Sequence, residues 1–321
     1  MRTVGLIALS ALLAVVTNVA TAQQYPNRPV QVLVGNGPGS SPDIAARLPL
    51  AKVSAELGQS FVVVNRPGAS GAIAAQALAN AAPDGYTLSV ASDSTYTSVP
   101  IVLKDIGFDP EKMTVIAPIG EIGSAVLVNA DLGVKTLDEF VALAKSKPGQ
   151  LNYSMFDKGH MGQLWMEALF QRLGVKVEHV PYKSGPELVQ AAASGQVQIT
   201  ISSYTSAAGA IEAGRLLPIL FTGPRYQGSY SNVPHQAQLF PELADPTTAM
   251  ILIGPSGLPT DIVKKLNASV TAAVKSPDTF SALEKSGLTP MLSSPEEVQA
   301  NIVRKREAFA RLIKQLAEAP K

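Results

Sequence analysis

The stretch VQVLVGNGPGSSPD, residues 30–43, runs from five largely apolar, β-branched residues through a glycine-rich turn to a helix start. Residues 30–34 are apolar at nearly every position, as expected for a strand covered on both faces. Ser41-Pro42-Asp43 supplies a capping serine, a proline at the first helical position and an acid in the first turn, which predicts a helix over 42–57. The same signal recurs at Ser276-Pro277-Asp278 and Ser294-Pro295-Glu296-Glu297, so it marks a helix start and nothing more. Thr136-Leu137-Asp138-Glu139 and Ser184-Gly185-Pro186-Glu187 have capping-box spacing. Pro49 falls inside the first helical pattern and should kink or shorten that helix. What needs a reason is the run Gly35-Asn36-Gly37-Pro38-Gly39-Ser40 between strand and helix.

The strand–helix–strand rhythm continues outward. Strands are expected at 61–64 and 86–91 around a helix at 73–81. Helices at 137–145, 163–173 and 186–193 then alternate with strands at 151–154, 175–181 and 197–202. Such alternation implies parallel sheets with right-handed crossovers. In the closing segment Val298, Ile302, Phe309, Leu312, Ile313 and Leu316 form one apolar stripe that should dock on a lobe. No internal repeat stands out.

Residues 1–22 read as a secretory signal: a basic start at Arg2, an apolar stretch over 6–16 and small residues ending at Ala22. The apolar stretch falls short of the ~20 residues that span a bilayer. An exported chain beginning at Gln23 and located in the periplasm is therefore expected. The chain has no cysteine, hence no disulfide and no lipidation site after the signal, so stability must come from a large core. About 300 residues favour two lobes over one. The 26 basic and 25 acidic residues nearly balance, which argues against a nucleic-acid partner.

A glycine-rich turn entering a helix offers free amides to an anion. Gly35, Gly37 and Gly39 lack the third glycine of a dinucleotide fingerprint, and no lysine follows to make a phosphate loop. There is no Gly-x-Ser-x-Gly nucleophile turn. A carboxylate-binding turn and a plain structural turn both remain open. A second loop, Phe156-Asp157-Lys158-Gly159-His160-Met161-Gly162, also precedes a helix. Asp157 and His160 alone make a poor metal site. A catalytic His160 would need an acid and a distant serine, and the plain alternative is a solvated polar turn. His179 and His235 read as structural, and Asp43 with Arg47 as an i, i+4 helix pair. No metal and no cofactor are implied.

Together these pieces resemble the extracytoplasmic solute receptors of tripartite tricarboxylate transporters, the Bug family. The resemblance rests on Tyr25-Pro26-Asn27-Arg28-Pro29, Pro38-Gly39-Ser40-Ser41-Pro42-Asp43 and Val64-Asn65-Arg66-Pro67-Gly68-Ala69. It continues through Ala82-Pro83-Asp84-Gly85-Tyr86-Thr87, Leu151-Asn152-Tyr153, His179-Val180-Pro181-Tyr182-Lys183 and Glu212-Ala213-Gly214-Arg215-Leu216. It implies an α/β, two-lobed periplasmic-binding-protein type II (Venus flytrap) fold with ligand between the lobes. One lobe would comprise residues 23–124 plus 248–321 and the other 125–247. It also implies a non-enzymatic, monomeric receptor that hands a small carboxylate to integral-membrane permease subunits. A sensor without its own transporter and a hydrolase in the same cleft are the alternatives.

The resemblance implies a carboxylate held by the backbone of two loops, mapping here to 37–43 and 156–162. The site residues expected are Asn36, Gly39, Ser40, Ser41 and Asp43 from the first, and Phe156, Asp157, Lys158, Gly159 and His160 from the second. Asp93, Ser94 and Thr95 in a third loop and Ser202 complete the set. Ser40 stands where the family usually has glycine, and Asp93 where serine or glycine is common. Acids at 93 and 157 should disfavour a citrate-like ligand unless Lys158 or His160 compensates. They should favour a carboxylate bearing a donor, a positive charge or an aromatic ring. Gly39→Pro is expected to remove a ligand-binding amide.

Overall fold

The computed structural model describes residues 25–103, 105–155, 160–182, 185–223 and 230–318. The leader expected over 1–22 and the loop residues Phe156, Asp157, Lys158 and Gly159 lie outside them.

Two sheets organise the chain. The first has strand order β11-β4-β10-β3-β1-β2. It comprises β1 (Val30–Val34), β2 (Phe61–Asn65), β3 (Thr87–Ser92), β4 (Thr114–Ile122), β10 (Thr248–Gly254) and β11 (Thr289–Pro290). Around it lie α1 (Ser41–Leu57), α2 (Ala72–Ala79), α3 (Val99–Val102), α9 (Thr260–Lys275), α10 (Pro277–Lys285) and α11 (Pro295–Glu318). The second sheet has order β7-β6-β8-β5-β9. It comprises β5 (Ser124–Asn129), β6 (Leu151–Met155), β7 (Val177–Pro181), β8 (Ile199–Ser203) and β9 (Leu216–Thr222). Its helices are α4 (Leu137–Ser146), α5 (Met161–Leu173), α6 (Gly185–Ala193), α7 (Tyr204–Glu212) and α8 (Gln236–Leu239).

Both faces of each sheet are covered. Val30, Val32 and Val34 enter one buried cluster and Leu33 another on the opposite face. In the second sheet Val126 and Val128 are separated in the same way from Ala125 and Leu127. That division is the two-residue side-chain period of a strand with helices above and below it.

The sheets are mixed rather than parallel throughout. β1, β2 and β3 are parallel, as are β6, β7 and β8, but β4, β10 and β5 run antiparallel to their neighbours. The antiparallel strands are the ones that carry the chain between sheets, where no crossover helix sets direction. Pro49 does not break α1, which runs through it with Pro49, Leu50 and Val53 buried against the core. Half of the capping box expected at Thr136 forms: Thr136 Oγ1 accepts from the Glu139 N–H at 3.2 Å, while the Glu139 carboxylate accepts from the Lys135 N–H rather than from Thr136. At Ser294 both reciprocal bonds are made.

Only Gly123 separates β4 from β5. Ile122 pairs with Thr248, and Met250 of the same strand pairs with Ser92, so the end of β4 is level with the end of β3. Ser124 pairs with Ser203 and Thr222, so the start of β5 is level with the ends of β8 and β9. The carboxyl ends of the parallel strands of both sheets therefore meet at this crossing, which is where open α/β sheets bind ligands.

Candidate ligand-binding cleft

Every parallel strand that ends at the crossing, apart from the edge strand β7, feeds a turn or helix that begins at that edge. α1 follows β1, α2 follows β2, α5 follows β6 and α7 follows β8. Helix N-termini from both lobes thus point partial positive charge at one region.

The first loop is braced from within. Asp43 is 3% exposed, and its carboxylate accepts from the Gly39 N–H at 2.9 Å, from Asn65 Nδ2 at 2.9 Å and from Arg47 Nε at 3.0 Å. Burial alone would raise this carboxyl, but the bonds from Arg47, Gly39 and Asn65 prevail and hold it at about 2. Asp43 therefore braces the loop. Likewise the Gly39 amide is bound to Asp43, which corrects the expectation for Gly39→Pro. That change would break the brace and the positive-φ turn (φ +77) together, so it does not isolate a ligand contact.

Ser40, not Ser41, occupies the N-cap position of α1, and its side chain makes no capping bond. Ser40 Oγ is buried with no hydrogen-bond partner, and the first-turn amides of Ser41 and Asp43 have no carbonyl one turn behind them. Asn36 is exposed at the mouth, its carbonyl accepting from Asn65 Nδ2.

Three loops stack tightly beneath this edge. A Cβ on Gly35 would lie 2.5 Å from Gly71 Cα, and one on Gly71 would lie 2.8 Å from Thr95 Oγ1. Thr95 Oγ1 in turn donates to the Ser70 carbonyl at 3.2 Å. Gly68, Ala69, Ser70 and Gly71 all have positive φ, two of them without being glycine. Such strain persists only where surrounding packing enforces it. This third wall of the cleft was not among the residues expected from sequence, although the Asn-Arg-Pro-Gly-Ala motif marked its position.

Ser94 faces the edge with its amide and hydroxyl tied to Ser92 Oγ. Asp93 turns the other way. It is 2% exposed and binds Lys305 Nζ at 2.9 Å, with the Ala249 N–H donating to its other oxygen at 3.1 Å. Its charge is met inside the lobe, so the repulsion of a polyanion expected from it is largely offset.

In the second lobe His160 is the N-cap of α5, its Nδ1 accepting from the Gly162 N–H at 3.1 Å. His235 caps α8 in the same manner from Ala237. Burial pushes the His160 imidazole down to about 4, so it is neutral near pH 7. This histidine's folded value lies below its ordinary value of about 6.5, so its contribution is intact above that pH and is lost as pH falls toward 4. Full loss is on the order of 3 kcal/mol. A melting series from pH 7 to 4 should therefore fall less steeply in His160→Asn, which keeps a capping acceptor, and parallel curves would refute the assignment. Ser202 is half-buried at the end of β8, and its neighbour Ser203 caps α7 through the Ser206 N–H at 3.2 Å.

Among the described residues no cluster of three or more His, Cys, Asp or Glu is placed to hold a metal, and no helix is long and apolar enough to cross a membrane.

A model of the tripartite tricarboxylate transporter family receptor matches residues 45–317. The chain belongs to this family. A protein of the UPF0065 group from Bordetella bronchiseptica is 32% identical over 304 residues, covering 94% of this chain and 90% of the relative. Among solved structures, R. palustris Rpa4515 with adipate matches with a TM-score of 0.79 at 28% identity, over 92% of this chain and 100% of that one. MatC of Rhodopseudomonas palustris with bound malate matches with a TM-score of 0.73 at 26% identity, over 90% and 100% of the two chains. The receptor thus has the two-lobed fold of periplasmic solute-binding proteins.

Proposed function

We propose that this receptor captures a small carboxylate between its lobes, without turnover, and delivers it in the periplasm to the permease subunits of a tripartite transporter. The observation that carries this reading is the convergence of helix N-termini from both lobes on one edge, with Ser40 Oγ buried and unpartnered among them. Amides and a hydroxyl suit a carboxylate, and the dicarboxylates adipate and malate held by the two relatives fit a cleft with one donor set on each lobe. Asp43 is neutralised by Arg47 and Asp93 by Lys305, so neither presents a free negative charge to an incoming anion. His160 Nδ1 is engaged as a helix cap, which favours a structural role for this histidine over a hydrolytic one.

Trp165 provides the test. It is the only tryptophan, fully buried, and lies in the second turn of α5 behind the second loop. Titrating mono-, di- and aromatic carboxylates, beginning with adipate and malate, should shift its emission and raise the melting temperature. At 100 times the dissociation constant the gain is ~2.7 kcal/mol. Silence in both signals across the panel would reject the ligand class, and recovery of a chemically altered ligand would reject a receptor without turnover.

A further inference from the structure

Along α11 the inward stripe runs Val298, Ile302, Lys305, Phe309 and Leu312, with alternating steps of four and three residues. A lysine stands where this spacing calls for an apolar side chain. It is only 6% exposed. Its Nζ donates to Asp93 Oδ2 at 2.9 Å and to the Thr247 carbonyl, while the Ala249 N–H donates to Asp93 Oδ1. Burial draws the ammonium down, but the surrounding carboxylates of Asp93, Asp245 and Glu121 raise it and keep it charged.

One side chain therefore ties together the turn at 93–95, the segment returning from the second lobe into β10, and α11. Before Lys305, Val298 and Ile302 pack in the first lobe with Leu33, Tyr96 and Ile251. After it, Phe309 and Leu312 share a buried cluster with Met161 and Ala168 of α5 in the second lobe. Met161 is the first residue of the helix that follows the second ligand loop. The closing helix docks on both lobes, not one, and Lys305 sits where it passes between them.

We propose that Lys305 is a positioning residue: through Asp93 it holds the ligand turn at 93–95, and it fixes α11 as a strut that sets the angle between the lobes. A helix is stiff over the single turn from 305 to 309, so the ion pair at one end determines how Phe309 and Leu312 meet α5 at the other. The proposal deepens the receptor reading by taking the cleft as the ligand site, but its measurement uses no ligand, so a wrong ligand class cannot be mistaken for its failure.

Because the chain lacks cysteine, Lys145→Cys in α4 and Lys285→Cys in α10 place spin labels on exposed positions of the two lobes. Pulsed dipolar spectroscopy then reads the interlobe distance distribution, and hydrogen exchange reads the amides of Ser94 and Thr95. Leu312→Ala, which loosens the strut at its far end, should broaden the distribution. D93N/K305M, which removes both charges and keeps an acceptor for the Ala249 N–H, should broaden it likewise and speed exchange at 94–95. Asp93→Asn alone leaves the Lys305 ammonium buried without its carboxylate and should act in the same direction at least as strongly. A native distribution and native protection in either charge-removing variant, with cooperative melting retained, overturns the proposal.

Discussion

Lys305→Met should destabilise the receptor by about 3–5 kcal/mol near neutral pH, the cost of stripping one partner from a buried ion pair. Asp93 would then be a carboxylate inside the lobe with only the Ala249 N–H to meet it. Burial already pushes its carboxyl up, and removing the ammonium pushes it further in the same direction. A group whose folded value is raised contributes stability below its unfolded value, and that contribution is lost as pH rises through the folded value. The deficit of Lys305→Met relative to the native chain should therefore be largest at neutral pH and shrink as pH falls toward about 4. Taking the difference from the native chain removes the acid sensitivity contributed by His160. D93N/K305M should recover most of the loss, since it leaves no uncompensated charge. Urea unfolding of the native chain and the two variants at pH 7 and 5 checks the series. A single variant as stable as the double one at both pH values would mean that Asp93 is not held buried by Lys305.

Gly35→Ala should cost about 1–3 kcal/mol and weaken carboxylate binding at least tenfold, because its methyl group has no flexible neighbour to displace. The new Cβ would meet the backbone of Gly71 at 2.5 Å, and Gly71, at φ +90, is itself pressed against Thr95. A shift at 35 therefore propagates through the loop after β2 to the loop after β3, moving all three walls of the first lobe's half of the cleft. Gly37→Ala, two residues on, meets nothing within 4 Å and lies outside the positive-φ region, so it should change stability by less than ~0.5 kcal/mol. Equal melting temperatures and equal affinities for the two variants would refute the stacked-loop account.

Much of the architecture was legible because it is locally encoded. The apolar run at 30–34, the cap signal at 41–43 and the alternation that follows place strands and helices within about two residues of where they lie. Thr136 and Ser294 declare themselves as caps because their partners are three residues away, whereas the same signal at Ser41 and Ser276 marks a helix start without a side-chain capping bond. Pro49 does not shorten α1, because core burial of Leu50 and Val53 outweighs a missing backbone donor. His160 is the cap of α5 because Gly162 lies two residues on, and its ring is buried, which residue type alone does not reveal.

The candidate site divides along the same line. Residues that reach the cleft edge follow from their place after a strand and before a helix, since the turn of a βα unit always sits at the strand's carboxyl end. Which of them face a ligand does not follow. Asp43 and Asp93 look alike in the sequence, yet one braces its own loop through Gly39 and Arg47 while the other is bound to a lysine 212 residues away. A trace of that lysine is visible as the one polar residue on the apolar stripe of α11, but nothing local names its partner.

By itself, then, the sequence of this receptor determined its elements, their caps and the turns that form the cleft edge, because these depend on neighbours within one helical turn or one strand period. Only the tertiary structure decided the direction in which each acid points, the stacking of Gly35 on Gly71 and the reach of α11 across both lobes. Those depend on pairings between segments far apart in the chain, where charge neutralisation and close packing are set by what the fold brings together.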